Sequence, residues 1–330
     1  MIEKKTIHLL QIIRNVIPVS NPFPLRTFPS RTIRKWIYLI KEFFLWVGWI
    51  LKVRGSDFVG FTESGNALLQ LRKIGSLGYA GKVLELPKDQ VIYKSVRLSA
   101  TWEREVAIFL SAEISMQEAK IKKPVLFLDI GANVGLIALQ VLNQTNSLME
   151  AFLIEPIESH CSAIVSNLVE YKNRIQVFRF ALGSFDGSST IYTQRSNRGN
   201  SSLVEGAMHN TIFDESVIEV VNTKNFITGI IDNYQFVVIK CDTQGQDARI
   251  LARLGEDFWS KVNAVAVEIW AIEEVEPDDV ALVTKNMGEF SCLRWDNSDI
   301  CGLRPDEIMD FWLNKSGRSS NLFASRTCRH

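Results

Sequence analysis

The chain has 330 residues and no formal net charge, and its 46% hydrophobic content is sufficient for a large buried core. The neutral total hides an uneven distribution, because residues 1–54 carry ten Lys and Arg against only Glu3 and Glu42. The remaining residues therefore form an acidic body, which lacks the positive face that phosphate binding requires and argues against nucleic acid as a partner.

Residues 1–80 are predicted to form a basic, partly helical N-terminal arm. Its most apolar stretch is WIYLIKEFFLWVGWILK (36–52). As a helix, residues 36–51 would span about 24 Å, which is short of the ~30 Å hydrocarbon layer of a membrane. Three tryptophans and the flanking cations suit a helix lying in the interface at the inner face of a membrane. The alternative, which we prefer, is packing on the protein's own body or on a second subunit of a homo-oligomer.

Residues 81–315 are predicted to form one α/β domain, followed by a polar tail at 316–330. KVLEL (82–86) and VIYKSVRL (91–98) are interpreted as paired strands, and residues 101–114 as a helix capped by Thr101. Unbroken apolar runs then alternate with helical patterns, as in a doubly wound, mostly parallel sheet. The predicted strands contain residues 125–128, 152–154, 175–178, 236–239 and 264–267. The predicted helices contain residues 135–143, 159–171 and 246–254.

The first of these strands ends in Asp129, and the segment DIGANVG (129–135) leads into the next helix. Ligands of open α/β sheets bind beyond the carboxyl ends of the strands. Gly131 and Gly135 are predicted to let the backbone turn tightly and let a ligand approach closely. A pyrophosphate site would have a further glycine where Asn133 stands, and little negative charge. We therefore predict that Asp129 stands at the rim of the crevice and favours a cationic ligand.

Positions after the second and third strands are predicted to complete a nucleoside-type site. Glu155 ends the second strand 24 positions after Gly131, near the ~20-residue offset at which an acidic residue accepts hydrogen bonds from ribose hydroxyls. Pro156 follows it and starts a turn, and we include it in the cofactor site. Ala181 and Leu182, beyond the third strand, are expected to line an adenine slot, with an ordinary strand-to-hairpin junction as the alternative.

Two further side chains have competing interpretations. Glu103 is a candidate for the cofactor site, where it would engage an amino group. The alternative is that it only complements the dipole at the start of the 101–114 helix. His160 is interpreted as a surface histidine, with contact to the ribose or adenine as the alternative.

The fourth strand carries the candidate catalytic residues, in FVVIKCDTQGQDARIL (236–251). Lys240 and Asp242 lie at its end, and we expect Asp242 to face the crevice. The fifth strand places Glu268 nearby, so two carboxylates are expected to converge there as a site for proton transfer. The alternative is structural, a buried ion pair of Lys240 with Asp242 or with Glu268.

The cysteines and histidines indicate no metal site. The five cysteines are an odd number without metal-ligand spacing, and we interpret all of them as reduced thiols of a cytoplasmic protein. They are Cys161, Cys241, Cys292, Cys301 and Cys328. No secretory signal is predicted, because His8, Gln11 and Arg14 interrupt the first twenty residues.

Several segments, taken in order, resemble the FkbM family of S-adenosylmethionine-dependent methyltransferases. They are WEREV, FLDIGANVGLIAL, LIEP, FALGSFDG, NSSL, VIKCDTQGQDARIL and VAVEIW, and they extend over residues 100–270. The resemblance implies a Rossmann-like class I methyltransferase fold, S-adenosylmethionine as cofactor, and O-methylation of a hydroxyl on a sugar or another small natural product. The residues matching the family's motifs are Asp129, Gly131, Asn133, Gly135, Glu155, Asp242, Gln244 and Gly245.

The chain departs from the family pattern beside the expected acceptor site, where Cys241 and Thr243 replace aliphatic residues. The identity of the acceptor therefore stays open. Two other functions are weighed against the methyltransferase. One is a nicotinamide-dependent oxidoreductase, for which no catalytic Tyr/Lys or His pair is found. The other is a membrane-associated Rossmann-like binding protein without catalysis.

Overall fold

A computed structural model describes residues 55–72, 74–119, 124–145, 149–204, 212–296, 298 and 300–327. The apolar segment 36–52 and Cys328 lie outside these ranges, so the predictions made for them are not tested. None of the helices in the described ranges combines the length and apolar character needed to cross a membrane.

The described chain alternates strands and helices. The strands are β1 (Ser56–Phe61), β2 (Ala67–Leu71), β3 (Val83–Leu86), β4 (Val125–Ile130), β5 (Met149–Ile154), β6 (Ile175–Phe178), β7 (Ala181–Gly183), β8 (Gly187–Gln194), β9 (Ser201–Ser202), β10 (Phe213–Asn222), β11 (Val237–Cys241), β12 (Val262–Trp270), β13 (Cys292–Trp295) and β14 (Ser319–Ser325). The helices are α1 (Ile92–Ser99), α2 (Arg104–Glu118), α3 (Leu136–Gln144), α4 (Glu158–Asn167), α5 (Thr223–Thr228), α6 (Asp247–Ala252), α7 (Glu256–Lys261), α8 (Pro277–Met287) and α9 (Pro305–Leu313).

A seven-stranded sheet forms the centre of the molecule, in the order β13-β14-β12-β11-β4-β5-β6. Its strands run parallel except β14, which is antiparallel to both of its neighbours. β4 is buried along its whole length. Its side chains alternate between two cores: Val125 and Phe127 face one, whereas Leu126, Leu128 and Ile130 face the other. Burial on both faces explains the unbroken apolar runs, and the predicted α/β fold with a doubly wound, mostly parallel sheet is confirmed.

The first described strands form a separate three-stranded antiparallel sheet, β1-β2-β3. Leu69 and Leu84 of this sheet pack in the same core as α2 and α3. The predicted boundary between residues 80 and 81 therefore falls inside a sheet that belongs to the body.

Residues 91–98, predicted as a strand, form helix α1. Its buried side chains Ile92, Ser95, Val96 and Ser99 are spaced by three and four residues, which is the period of a helix and not of a strand. Asp89 starts the helix, because its Oδ1 accepts hydrogen bonds from the backbone N–H groups of residues 91 and 93. Val91, Ile92 and Val96 are β-branched and favour a strand, and burial of one helical face overrides that preference.

Helix α2 begins later than predicted. Thr101 does not cap it, since its hydroxyl shares a hydrogen bond with the Ser99 hydroxyl. The residue ahead of the helix is Glu103, whose backbone is left-handed with φ of 36°. This left-handed turn precedes the helical hydrogen bonds and places Glu103 near the charged groups at the end of β11.

The polar tail predicted at 316–330 contains β14, which is inserted between β12 and β13. Leu322, Phe323 and Ala324 are buried there, so the tail completes the sheet instead of leaving it. Cys292 at the start of β13 is bonded to Cys301 as a disulfide, with Cα atoms 4.9 Å apart. The prediction that every cysteine is a reduced thiol is therefore wrong for this pair.

A second, four-stranded sheet has the order β7-β10-β8-β9 and lies at the carboxyl edge of the central sheet. It starts directly after β6, because β7 follows that strand after two residues. Its short strand β9 connects to the central sheet through Ser202, whose hydroxyl donates a hydrogen bond to the carbonyl of Gln244 at 2.6 Å. One wall of the candidate site is built from this second sheet.

Candidate active site

The turn after β4 is tied to its two neighbouring strands. The backbone N–H groups of Gly131 and Ala132 both donate to the carbonyl of Ile154 at the end of β5. Gly131 has φ of +75°, and a Cβ placed there would overlap the backbone carbonyl of Asp242 after β11. The glycine is therefore required by the close approach of two strand ends. We predicted a tight backbone turn and close approach of a ligand as the reasons for this glycine. Its positive φ agrees with the turn, and Gly131 also lines the cleft.

Gly135 serves the packing of a helix. It precedes α3 with φ of +75°, and a Cβ there would lie 3.3 Å from Leu168 and 3.4 Å from Ile164. The side of Gly135 that would carry a side chain therefore faces α4 and the residue after it. Gly135 is not among the residues that line the cleft.

Glu155 holds the turns after β4 and β5 together. Its Oε2 accepts a hydrogen bond from the backbone N–H of Asn133 at 2.9 Å, and its Oε1 accepts one from the backbone N–H of Ile157 at 3.1 Å. Nδ1 of His160 lies 3.3 Å from the same Oε1. A carboxylate oxygen accepts about two hydrogen bonds, so Oε2 keeps one free acceptor position. Because Glu155 lines the cleft, that position is available to a ligand hydroxyl.

His160 is buried, with 3% of its surface exposed, and it lines the cleft beside Glu155. The interpretation of His160 as a surface histidine is therefore wrong. A histidine in the first turn of a helix carries no local signal of burial.

Lys240 occupies the centre of a cluster of carboxylates. Its Nζ donates to the carbonyl of Gly131 at 2.6 Å and lies 3.5 Å from Asp129 Oδ1 and 3.6 Å from Asp242 Oδ2. Burial alone would lower the pKa of Lys240, but the carboxylates of Asp242, Asp129 and Glu103 raise it above its ordinary value. Lys240 is therefore a fixed positive charge, and the structural alternative, a buried ion pair, describes its geometry.

Asp129 is completely buried and does not line the cleft. Burial raises its pKa above the ordinary value, while Lys240 acts in the opposite direction. The prediction that Asp129 stands at the rim of the crevice is wrong, because its carboxylate lies behind the wall and faces Lys240. Asp129 still contributes to the site, because its contact with Lys240 fixes the positive charge that lies beside Asp242.

The two predicted catalytic carboxylates meet through a third side chain. Nε2 of Gln244 donates to Asp242 Oδ1 at 2.5 Å and to Glu268 Oε2 at 2.8 Å. The Asp242 side chain is 23% exposed and lines the cleft, whereas Glu268 does not line it. Burial and the neighbouring Asp242 carboxylate raise the pKa of Glu268 well above its ordinary value. Asp242 is therefore the member of this pair that a ligand can reach.

Glu103 belongs to the same cluster. Burial, and next the carboxylate of Asp242, raise the pKa of Glu103 to about 7, while Lys240 opposes the shift. The left-handed turn ahead of α2 therefore places Glu103 within electrostatic reach of the end of β11. Glu103 does not line the cleft, so the structure gives it a position near the predicted cofactor site and not in its wall.

The cleft encloses about 610 Å³, including its open mouth. Its floor follows the carboxyl ends of β4, β5 and β11, where sequence reasoning placed the site. The predicted residues that line it are Gly131, Asn133, Glu155, Pro156, Ala181, Leu182 and Asp242. The lining residues that were not predicted as site residues include His160, Phe180, Arg198, Ser201, Leu203 and Gln246.

Replacing Glu268 with Gln is predicted to remove part of the pH dependence of stability. The folded protein retains a proton that the unfolded chain releases above a pKa of about 4.3, so the free energy of unfolding falls as pH rises above that value. The Gln variant has no such proton. Urea unfolding should therefore give it a larger free energy of unfolding than the wild type at pH 8. The difference should vanish toward pH 4. Glu219→Gln, on the exposed face of β10, is the control, and an equal change at every pH would contradict the prediction.

No cluster of three or more His, Cys, Asp or Glu side chains arranged to hold a metal ion occurs in the ranges that the structure describes. The free thiols there are those of Cys161 and Cys241, and both are buried. Burial and the neighbouring Glu155 raise the pKa of Cys161 to about 12. Neither cysteine is suited to act as a nucleophile.

No protein-family model matches the chain, and no curated protein matches it. Among solved structures, it is similar to an S-adenosylmethionine-dependent methyltransferase from Agrobacterium tumefaciens, at 11% identity over 84% of this chain and 79% of the other, with a TM-score of 0.38. It is also similar to an S-adenosylmethionine-dependent O-methyltransferase from Thermotoga maritima, at 11% identity over 80% and 78% of the chains, with a TM-score of 0.33. A third similarity is to precorrin-6y C5,15-methyltransferase from Geobacter metallireducens, at 10% identity over 69% and 90% of the chains, with a TM-score of 0.30.

Proposed function

We propose that this protein is an S-adenosylmethionine-dependent methyltransferase. The observation that carries the proposal is one cleft with an open hydrogen-bond acceptor of Glu155 at one end and the carboxylate of Asp242 at the other. The first suits a ribose, and the second lies where a positively charged donor group and an acceptor hydroxyl would meet.

The backbone of the first turn argues against a dinucleotide. A pyrophosphate is bound by free N–H groups at the start of a helix. Here the N–H groups of Gly131 and Ala132 donate to Ile154, that of Asn133 donates to Glu155, and that of Gly135 donates to Ala132. Four of the amides that would hold phosphate oxygens are therefore already occupied, and the nicotinamide-dependent oxidoreductase is disfavoured.

The residues of the cleft fit the parts of S-adenosylmethionine. Phe180, Ala181 and Leu182 supply an apolar wall for a purine. The Oδ1 atom of Asn133 is buried without a hydrogen-bond partner in the described residues, so it can accept from an ammonium or a hydroxyl. Asp242 and the carboxylates behind it provide a negative field for a sulfonium, which a phosphate would not tolerate.

In the proposed reaction, the bound cofactor supplies an electrophilic methyl group. Asp242 accepts the proton of the acceptor hydroxyl or orients it, a contribution of order 10²–10⁴-fold. Lys240, held by Asp129 and by the carbonyl of Gly131, keeps the charge of Asp242 in place. The walls position the two reactants, which supplies up to ~7–11 kcal/mol in well-oriented pairs.

The acceptor class follows from the resemblance to the FkbM family, and we propose O-methylation of a hydroxyl on a sugar or another small natural product. The cluster of carboxylates supports a neutral or cationic acceptor over a phosphorylated one or a nucleic acid. For residues 36–52 we also propose packing on the body or on a second subunit, with peripheral contact with a membrane surface at the cytoplasmic side as the alternative.

Asp242→Asn should lower the rate of methyl transfer by about 10²-fold or more while leaving cofactor affinity within a few-fold of the wild type. The measurement combines transfer of a radiolabelled methyl group to a panel of sugars with calorimetric titration of S-adenosylhomocysteine. Asp214→Asn, at an exposed ion pair with Arg195, is the control. Equal losses of rate and affinity would place Asp242 in the cofactor site instead.

Calorimetric titration with S-adenosylmethionine, S-adenosylhomocysteine and NAD tests the proposed function itself. A methyltransferase should bind the first two with micromolar affinity and NAD at least 100-fold more weakly. Tight binding of NAD alone would support the oxidoreductase, and binding of none of the three would support a protein without catalysis. Either result would overturn the proposal.

A further inference from the structure

The turn between β11 and α6 contains a residue with a strained backbone, two positions after Asp242. Gln244 has a left-handed backbone with φ of +54°, a conformation that costs a residue other than glycine on the order of 1 kcal/mol. Three contacts hold it there. Ser202, which is 1% exposed, donates its hydroxyl to the Gln244 carbonyl, and Asp247 accepts hydrogen bonds from the N–H groups of Thr243 and Gly245.

The left-handed backbone of Gln244 places its side-chain amide between two carboxyl groups, those of Asp242 and Glu268. A glutamine side chain has two N–H donors on Nε2, and here each carboxyl group receives a hydrogen bond from that nitrogen. Gln244 is only 8% exposed, so its amide is held among neighbouring groups and not in solvent. Asp242 is left as the carboxyl group of this pair that borders the cleft.

We propose that Gln244 is a positioning residue, whose amide clamps Asp242 to Glu268 and thereby sets the charge that the pair presents to the methyl donor. This inference rests on the proposed function, because it assumes that the sulfonium lies at the end of β11. The raised pKa of Glu268, caused by burial and by Asp242, agrees with a proton held on Glu268, the member of the pair that does not border the cleft.

Other charged groups surround the pair from every neighbouring element. Lys240 and Asp129 lie on the strands beside it, Glu103 precedes α2, and Asp247 begins α6. Lys240 is the fixed positive charge of this cluster, and it already contacts Asp129 and Asp242. Loss of the proton of Glu268 therefore adds a negative charge that Lys240 does not neutralise.

The test compares binding of S-adenosylmethionine with binding of S-adenosylhomocysteine by calorimetry between pH 5 and pH 9. The two molecules differ by the methyl group and the sulfonium charge, so the ratio of their dissociation constants isolates the effect of the pair on that charge. For the wild type, the preference for S-adenosylmethionine should rise about tenfold as the pair loses its last proton with rising pH. No acceptor substrate is needed.

Two substitutions at position 244 should move the pH midpoint of this rise in opposite directions. Gln244→Ala removes two N–H donors, but water replaces them and the carboxyl groups separate. Because burial and the neighbouring Asp242 are the causes that raise the pKa of Glu268, the midpoint should fall by one pH unit or more. Gln244→Glu adds a third carboxyl group that competes for the proton, so the midpoint should rise. In Glu268→Gln the pair has one titrating member fewer, and the rise in this pH range should disappear.

Gln246→Ala is the matched control for removing a buried glutamine from the same turn. Its Oε1 accepts from Arg249, and the structure shows no contact with either carboxyl group. The pH midpoint of the Gln246→Ala variant should equal that of the wild type, even if the variant binds both molecules more weakly. A residue with a merely structural role would weaken binding at every pH without moving the midpoint.

The inference is overturned if Gln244→Ala and Gln244→Glu keep the wild-type midpoint, or if the wild type shows no rise at all. These results require that the wild type bind both molecules. A wild type that binds neither would instead overturn the proposed function, so the two failures are distinguishable.

Discussion

Glu155→Ala is expected to weaken binding of S-adenosylhomocysteine by 100-fold or more, which is about 2.7 kcal/mol. The substitution removes the acceptor proposed for a ribose hydroxyl, a charged hydrogen bond worth about 1.5–3 kcal/mol. It also leaves the N–H groups of Asn133 and Ile157 without their acceptor, so the turns that form one end of the cleft lose their connection. Calorimetric titration of the purified variant measures the effect.

Glu158→Ala is the matched control, because it removes a glutamate three residues further along the chain. Glu158 is 80% exposed and pairs with Arg179 at the surface. The affinity of the Glu158→Ala variant for S-adenosylhomocysteine should therefore stay within a factor of two of the wild type. Glu155→Gln should lie between the two, since it keeps an oxygen acceptor but loses the charge. If Glu155→Ala binds as the wild type does, Glu155 is not part of the cofactor site.

Gly131→Ala is expected to lower the free energy of unfolding by at least ~3 kcal/mol, an effect near the upper end for single substitutions. The new methyl group would overlap the carbonyl of Asp242, so the ends of β4 and β11 would have to separate. That separation also disturbs the hydrogen bond from Lys240 to the Gly131 carbonyl. Urea unfolding monitored by circular dichroism measures the loss.

Gly65→Ala separates the overlap from the backbone strain. Gly65 has φ of +83°, close to that of Gly131, but a Cβ there would meet nothing within 4 Å. Its substitution should therefore cost about 1 kcal/mol from strain alone. Equal losses at the two positions would show that the close approach of Asp242 does not matter.

The sequence predicts the central sheet well because burial on both faces leaves a strong local pattern. β4 and β11 are buried along their whole length, and the position of their apolar runs does not depend on any distant contact. β14 carries a weaker signal, since Ser319 and Ser320 are polar and the strand is recognised only by its pairing with β12 and β13. Helix α1 was mistaken for a strand for a related reason: its β-branched residues pack on one helical face that local preference does not reveal.

The candidate site was predicted in part. Positions directly after strands, such as Glu155 and Asp242, are set by topology and could be read from the order of the elements. The charge balance could not be predicted in this way. Asp129, which we expected to bind the ligand, is buried and pairs with Lys240 instead. The role of Gln244 depends on a left-handed turn held by Ser202, which lies 42 positions away in the chain.

The central claim is that one cleft holds the adenosyl group at Glu155 and the reactive methyl group near Asp242. A crystal structure of the protein with S-adenosylhomocysteine tests it most directly. We predict a ribose hydroxyl within hydrogen-bond distance of Glu155 Oε2 and the sulfur on the Asp242 side of the cleft. A nucleoside bound elsewhere, or bound here with its ribose away from Glu155, would contradict the account.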